Sequence, residues 1–513
     1  MMILKNNMFK LAGLIAASAV ISACDSDFNN PVGDKTFSSG DADFTTFVAV
    51  GDSLTAGYAD GALYLSGQTN SYPNILAQQF AKVGGGSFNQ PLVADNLGGL
   101  LFGGNPDPDT NPSTFGNRLV LNADATLPRP VPEPVAGTPT TEVFSLQTGT
   151  FNNMGVPGAK SFHLTLTDYG NRTGLDVDPA TANPYYVRFA PTTSTPIIAA
   201  AAGQVPSFFI MWIGNNDVLS YATGGGVATT TVEPIIPPYG TGTDDITDPA
   251  VFQATYDGLV GAMTANPAAR GVLVNIPDVA TIPYFTTVAY NPVPLDQANA
   301  DKLNTAYTAY NGGVQAAFDA MLIDANELAL RTITFAPGLN NAVVITTDDN
   351  DLTDLTGLTL PYLRQANAND LLVLTAGSII GTEAIPGDET TAWGLGTPLQ
   401  DSHVLIPSEI AAVDTARLAF NATIQAAADA NANLILVDAA ALMAGINDTG
   451  FDYGTGFVDS TYATGGAFSL DGVHPTARGY AIVANAIIDA INTGFNANVA
   501  KVDPGAYTTI FVK

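Results

Sequence analysis

Thr46-Phe47-Val48-Ala49-Val50-Gly51-Asp52-Ser53-Leu54 is the stretch whose reading decides the fold. The run Thr46–Val50 is apolar without polar alternation, the pattern of a strand buried on both faces of a parallel sheet. Gly51 and Asp52 then mark a tight turn that presents Ser53 at the end of that strand. Near the other end of the chain, Asp471-Gly472-Val473-His474-Pro475 sets an aspartate three residues before a histidine, just ahead of an amphipathic helix. A serine, a histidine and a carboxylate supply a nucleophile, a general base and a group to orient that base, the minimum for serine acyl transfer. The chain has only three histidines, so one in this setting carries weight.

Outward from Ser53, further continuous apolar runs predict strands at Ser207–Ile213, Gly271–Ile276 and Asn433–Val437. Helical patterns lie between them at Tyr72–Val83, Ala250–Met263, Leu295–Ala325 and Ser408–Ala430. The last helix carries one apolar stripe of Tyr480, Val483, Ala484, Ile487, Ile488 and Ile491. This alternation predicts a doubly wound α/β domain, a parallel sheet of about five strands flanked by helices, spanning residues 44–495. Stretches near 84–150, 222–248 and 335–402 are rich in Gly, Pro, Asn and Asp and read as long loop insertions. Residues 496–513 form a C-terminal extension. The acidic run Asp348-Asp349-Asn350-Asp351 suggests calcium, but it lacks the glycine and distal glutamate of an EF-hand loop and reads as a solvated loop.

A chain of 513 residues that is 46% hydrophobic and 12% charged is a folded protein and not a disordered one. A net charge of −30 excludes nucleic acid as a partner, since a phosphate backbone needs a basic face. Lys5 and Lys10 precede or flank the apolar stretch Leu11–Ile21, a signal-peptide pattern too short to span a membrane. It ends at Ile21-Ser22-Ala23-Cys24, which resembles the lipobox of bacterial lipoproteins; an ordinary secretory signal with an incidental cysteine is the alternative. The resemblance implies removal of residues 1–23, lipidation of Cys24 with acyl chains such as palmitate, and a place in the bacterial cell envelope; the outer membrane is the expected anchor, although the sequence leaves open which membrane holds it. Cys24 is the only cysteine, so no internal disulfide is available. The polar residues 24–43 read as a flexible tether.

Gly51-Asp52-Ser53-Leu54 after a strand resembles the first block of the GDSL esterase/lipase family, the SGNH hydrolases. Asn153-Met154-Gly155-Val156-Pro157-Gly158-Ala159 is similar to its second block, Gly214-Asn215-Asn216-Asp217 to its third, and Asp471–Pro475 to its last. Four blocks in order are a far more specific signal than a lone Gly-Asp-Ser. The resemblance implies Ser53 as nucleophile, His474 as general base and Asp471 as its partner. It implies an oxyanion hole from the N–H groups of Ser53 and Gly158 and the Asn216 side chain, with no metal and no cofactor. A side chain at position 158 is expected to crowd the acyl carbon. Asp52 and Asp217 read as supporting residues, and His163 and His403 as structural. No Gly-x-Ser-x-Gly elbow occurs, because position 55 is threonine, which disfavours the ordinary α/β-hydrolase arrangement.

The expectation is a membrane-anchored serine carboxylic-ester hydrolase working through an acyl-enzyme. Its substrate is a small-molecule or glycan ester, either a lipid ester or an acetylated carbohydrate. A non-catalytic binding lipoprotein on a hydrolase scaffold, its site closed by the insertions, is the alternative. The sequence leaves the oligomeric state open.

Overall fold

The computed structural model describes residues 37–513 apart from 107–114, 125, 127–129, 178–179, 228–244 and 349–350. Cys24 and the leader therefore lie outside the described residues. The core is an all-parallel sheet of five strands: β1 (Phe47–Gly51), β2 (Asn153–Gly155), β3 (Phe208–Trp212), β4 (Arg270–Val274) and β5 (Leu434–Val437). Their spatial order is 2-1-3-4-5, with Val50 beside Met154 on one side and Met211 on the other. In sheets of this order ligands bind beyond the C-terminal ends of β1 and β3, where the connections leave in opposite directions.

Strand periodicity divides the side chains between two faces. Phe47, Ala49, Phe208, Ile210, Trp212, Val272 and Val274 join one buried cluster; Val48, Val50, Phe209, Met211 and Leu273 join the other. Seven helices matter for the site, taken in chain order. They are α1 (Ser53–Ala56), α2 (Tyr72–Phe80), α3 (Asn216–Thr223), α4 (Pro249–Met263), α5 (Pro407–Asp429), α6 (Ala439–Asp448) and α7 (Ala477–Gly494). Helices α2 and α7 cover the first face, and α4 and α5 cover the second. Double coverage is why the strands read as unbroken apolar runs, and it is compatible with a doubly wound fold.

Local chemistry sets the helix ends. Thr476 caps α7 by accepting the Gly479 N–H at 3.0 Å. Pro407 opens α5, whose Glu409 reaches back to the Ile406 N–H at 2.8 Å. On α7 the buried residues Tyr480, Ala484, Ile487, Ile488 and Ile491 follow the stripe expected from the sequence, while Val483 is only partly buried.

Four expectations change. Asn153–Gly155, where the sequence pattern predicts no strand, is an edge strand pairing with β1. The segment read as one helix over Leu295–Ala325 divides into Gln297–Ala306 and Thr308–Asp319, followed by Ala325–Arg331. These helices, with the short antiparallel pairs Val293–Leu295/Gly338–Asn341 and Val344–Thr346/Leu363–Gln365, form one continuous excursion between β4 and α5. It begins well before residue 335. The tether does not reach residue 43: Ser38 and Asn498 exchange backbone bonds, and Ala42 and Phe44 are buried. The C-terminal extension is likewise paired, with Leu121 bonded to Phe511 and Lys513.

Candidate active site

β1 ends at Gly51, and Asp52 caps the helical turn α1 by accepting the Leu54 N–H at 2.9 Å. The other Asp52 oxygen accepts from the Asn215 side-chain amide at 2.9 Å, tying the turn after β1 to the turn after β3. Asp52 is fully buried, and that burial pushes its carboxyl up to about 6 against both hydrogen bonds. Its expected role, holding the turn, matches these contacts. Ser53 is the first residue of α1, so its N–H is one of the orphan donors of a helix start.

The loop Ser469–His474 brings the other two groups. His474 Nε2 lies 2.8 Å from Ser53 Oγ, and His474 Nδ1 lies 2.9 Å from Asp471 Oδ2. Neutral imidazole with its proton on Nδ1 donates to Asp471 and leaves Nε2 to accept from the serine hydroxyl. Asp471 also accepts the N–H groups of Val473, His474 and Gly61 and the Ser469 hydroxyl, at 2.8–3.0 Å. Burial raises its carboxyl, but the His474 charge, the ring hydrogen bond and these backbone donors outweigh it and bring the group down to about 2. An ionised Asp471 can therefore hold one tautomer of His474 and stabilise the imidazolium.

Asn216 opens α3 and is nearly buried. One of its amide protons is donated to the Ala159 carbonyl at 3.0 Å, which holds the side chain and leaves a second N–H for a ligand. Ser53, Asn216 and His474 line one cavity. Gly158, on the turn after β2, lies outside that lining and is exposed. Its backbone has φ of +79°, which is what demands glycine there. Within the protein an added Cβ would meet only Asn183 Nδ2, at 4.0 Å, so packing against the chain does not itself require glycine here.

Asp217 is buried and accepts from the Ser161 N–H and hydroxyl at 2.8 and 2.6 Å, a supporting position. His163 accepts the Lys160 N–H at 3.0 Å and stacks on Tyr169. His403 is half-buried, and burial lowers its pKa. Asp351 of the acidic run pairs with Arg364, and Asp349 and Asn350 lie outside the described residues. Among the described residues no group of three or more His, Cys, Asp or Glu side chains is arranged to hold a metal ion, and no helix is long and apolar enough to cross a membrane.

The sequence reading missed Asp60. This residue is buried at φ +53°, donates its N–H to Ser469 Oγ at 2.9 Å, and accepts from the Leu470 N–H and the Tyr64 hydroxyl. Ser469 in turn donates to Asp471, so Asp60 stands directly behind the Asp471 loop. The segment after Ser53 is thereby pinned to that loop. Nothing in the local pattern Tyr58-Ala59-Asp60-Gly61 distinguishes this role from an ordinary turn. Comparison with protein-family models, with curated proteins and with solved structures finds no match to this chain.

Proposed function

We propose that the chain is a serine carboxylic-ester hydrolase of the GDSL (SGNH) type, anchored at the bacterial envelope through a lipidated Cys24. The observation that carries this reading is the unbroken line of hydrogen bonds from Ser53 through His474 to Asp471, at the sheet edge where ligands bind in such folds. Ser53 Oγ attacks the ester carbonyl while His474 Nε2 takes its proton. The oxyanion forms against the Ser53 and Gly158 N–H groups and the remaining Asn216 N–H. His474 then protonates the departing alkoxide, giving an acyl-Ser53, and water activated by the same imidazole releases the acid.

The binding-lipoprotein alternative requires the insertions to have closed the site. A cavity reaching Ser53, Asn216 and His474 favours catalysis instead. A fluorophosphonate probe should label Ser53, and Ser53→Ala should abolish labelling and lower ester turnover by about 10⁴–10⁶-fold. Retained turnover in that variant, or no labelling of the native protein, sinks the proposal. The anchor is tested separately, by incorporation of an alkynyl palmitate analogue and its loss in Cys24→Ser.

A further inference from the structure

The cavity beside Ser53 has a volume of about 100 Å³, and its chemistry is unequally divided. The polar side chains on it are Ser53, Asn215, Asn216 and His474, all belonging to the turns after β1 and β3 and to the Asp471 loop. Asn215 gives one amide proton to Asp52, and the Trp212 indole N–H is donated away from the cavity to the Asn275 carbonyl at 3.2 Å. The rest of the wall is hydrocarbon: Ile282 from the connection after β4, Leu442, Met443 and Ile446 from α6, and Ile482 and Val483 from α7. Among the described residues, none with an ionisable side chain lines it apart from His474.

Such a wall discriminates strongly. A sugar hydroxyl placed against it would lose its water and gain no partner, at a cost that disfavours any glycan moiety there. An acetyl group would contribute one methyl and leave most of the space unfilled, forfeiting contacts on every side. A hydrocarbon chain meets both demands. The space is small, about 100 Å³, so a short chain suits it and a long one does not.

Resting on the esterase reading, we propose that this cavity receives a short aliphatic chain of the ester, so that the substrates are esters with a short hydrocarbon arm and not acetylated glycans. α6 and α7 are then the elements that set chain length. Val483, the partly buried position of the α7 stripe, lines this cavity.

The chain could belong to the acid or to the alcohol, and two substrate series separate them: p-nitrophenyl esters from acetate through butyrate and hexanoate to palmitate, and acetate esters from ethyl to hexyl. In one series kcat/KM should climb roughly three- to fourfold per methylene over the first few, then stop climbing well before palmitate. Leu442→Trp, adding bulk from the half-buried side of α6, should lower the ratio of hexanoate (or hexyl) to acetate (or ethyl) turnover about 10-fold. Ala439→Val, a smaller addition, should lower it less. Being ratios, these values are insensitive to the folded fraction of either variant. Flat or falling kcat/KM in both series, with acetyl esters still turned over and Ser53 still labelled, overturns the cavity assignment and leaves the esterase standing. A climb that continues to palmitate overturns the size limit. Failure of every ester together with failure of labelling overturns both readings.

Discussion

His474 Nε2 rests 2.8 Å from Ser53 Oγ although 421 positions separate them in the chain. Asp471, three residues before the histidine, sets that approach by receiving five donors, four of them from its own loop. Replacing Asp471 by Asn keeps the shape but offers an amide where the ring N–H and the Gly61 N–H need an acceptor. The imidazole is then free to take the wrong tautomer. Asp471→Asn should lower kcat by about 10³–10⁴-fold while Ser53 still folds into place, checked by steady-state kinetics beside circular dichroism. A loss below tenfold contradicts the assigned role.

On the proposed mechanism, Asn216→Ala removes a donor that strengthens only as the oxyanion forms. Its kcat should fall about 10²–10³-fold with KM little changed. The Ala159 carbonyl also loses its partner, so urea unfolding should show a stability cost of about 1 kcal/mol. Full activity in this variant removes Asn216 from the oxyanion hole.

Asp60 makes a pH prediction. Burial chiefly raises its carboxyl from 3.8 to about 6, with the Asp471 charge adding to the rise and the Leu470 N–H and Tyr64 hydroxyl opposing it. A carboxyl raised on folding stabilises the folded state through its retained proton. That contribution is complete below pH 3.8 and is lost as the pH climbs through 6. Asp60→Asn lacks the titration and tolerates the same positive φ. The stability of the native protein minus that of Asp60→Asn should therefore fall by about 2–3 kcal/mol between pH 4 and pH 7, measured by urea unfolding. Asp471, with its carboxyl lowered to about 2, acts oppositely and loses its contribution only below that window, as pH falls from 3.8 through 2. Parallel stability curves for the two proteins would dismiss Asp60 as a buried titrating group.

Gly214 ends the β3 connection at φ +119°, and an added Cβ would approach Phe252 and Ile276 to 2.8 Å. Phe252 stacks on Phe420 with ring centroids 4.1 Å apart, so the ring has little room to yield. Gly214→Ala should destabilise by roughly 3 kcal/mol, combining backbone strain with overpacking, and differential scanning calorimetry would register it. An unchanged melting temperature would show that the turn can relax.

Much of this architecture is written locally. Phe47–Gly51, Phe208–Trp212, Gly271–Val274 and Leu434–Val437 are legible because a strand stretch covered on both faces is apolar without alternation. Helix α7 is legible because one face alone is buried. Ser53, Asp471, His474 and Asn216 stand out because each sits in a short motif at the end of such an element. The edge strand Asn153–Gly155 escapes this reading: three residues are too few to show a period, and Pro157 soon ends the run. The helical stretch from residue 297 fails for the opposite reason, since its apolar pattern continues through the break at Tyr307.

From its residues alone, then, the chain determines a parallel α/β core and nominates a serine, a histidine and an aspartate at its two ends. Only the tertiary structure decides that these three meet, that Asp60 supports the Asp471 loop from 409 positions before Ser469, and that α6 and α7 enclose a hydrocarbon-walled space beside Ser53. Periodicity records which face of each element avoids water, and it does so residue by residue. Which loops come together at the end of a sheet depends on strand order and on packing between distant segments, and no local pattern carries that information.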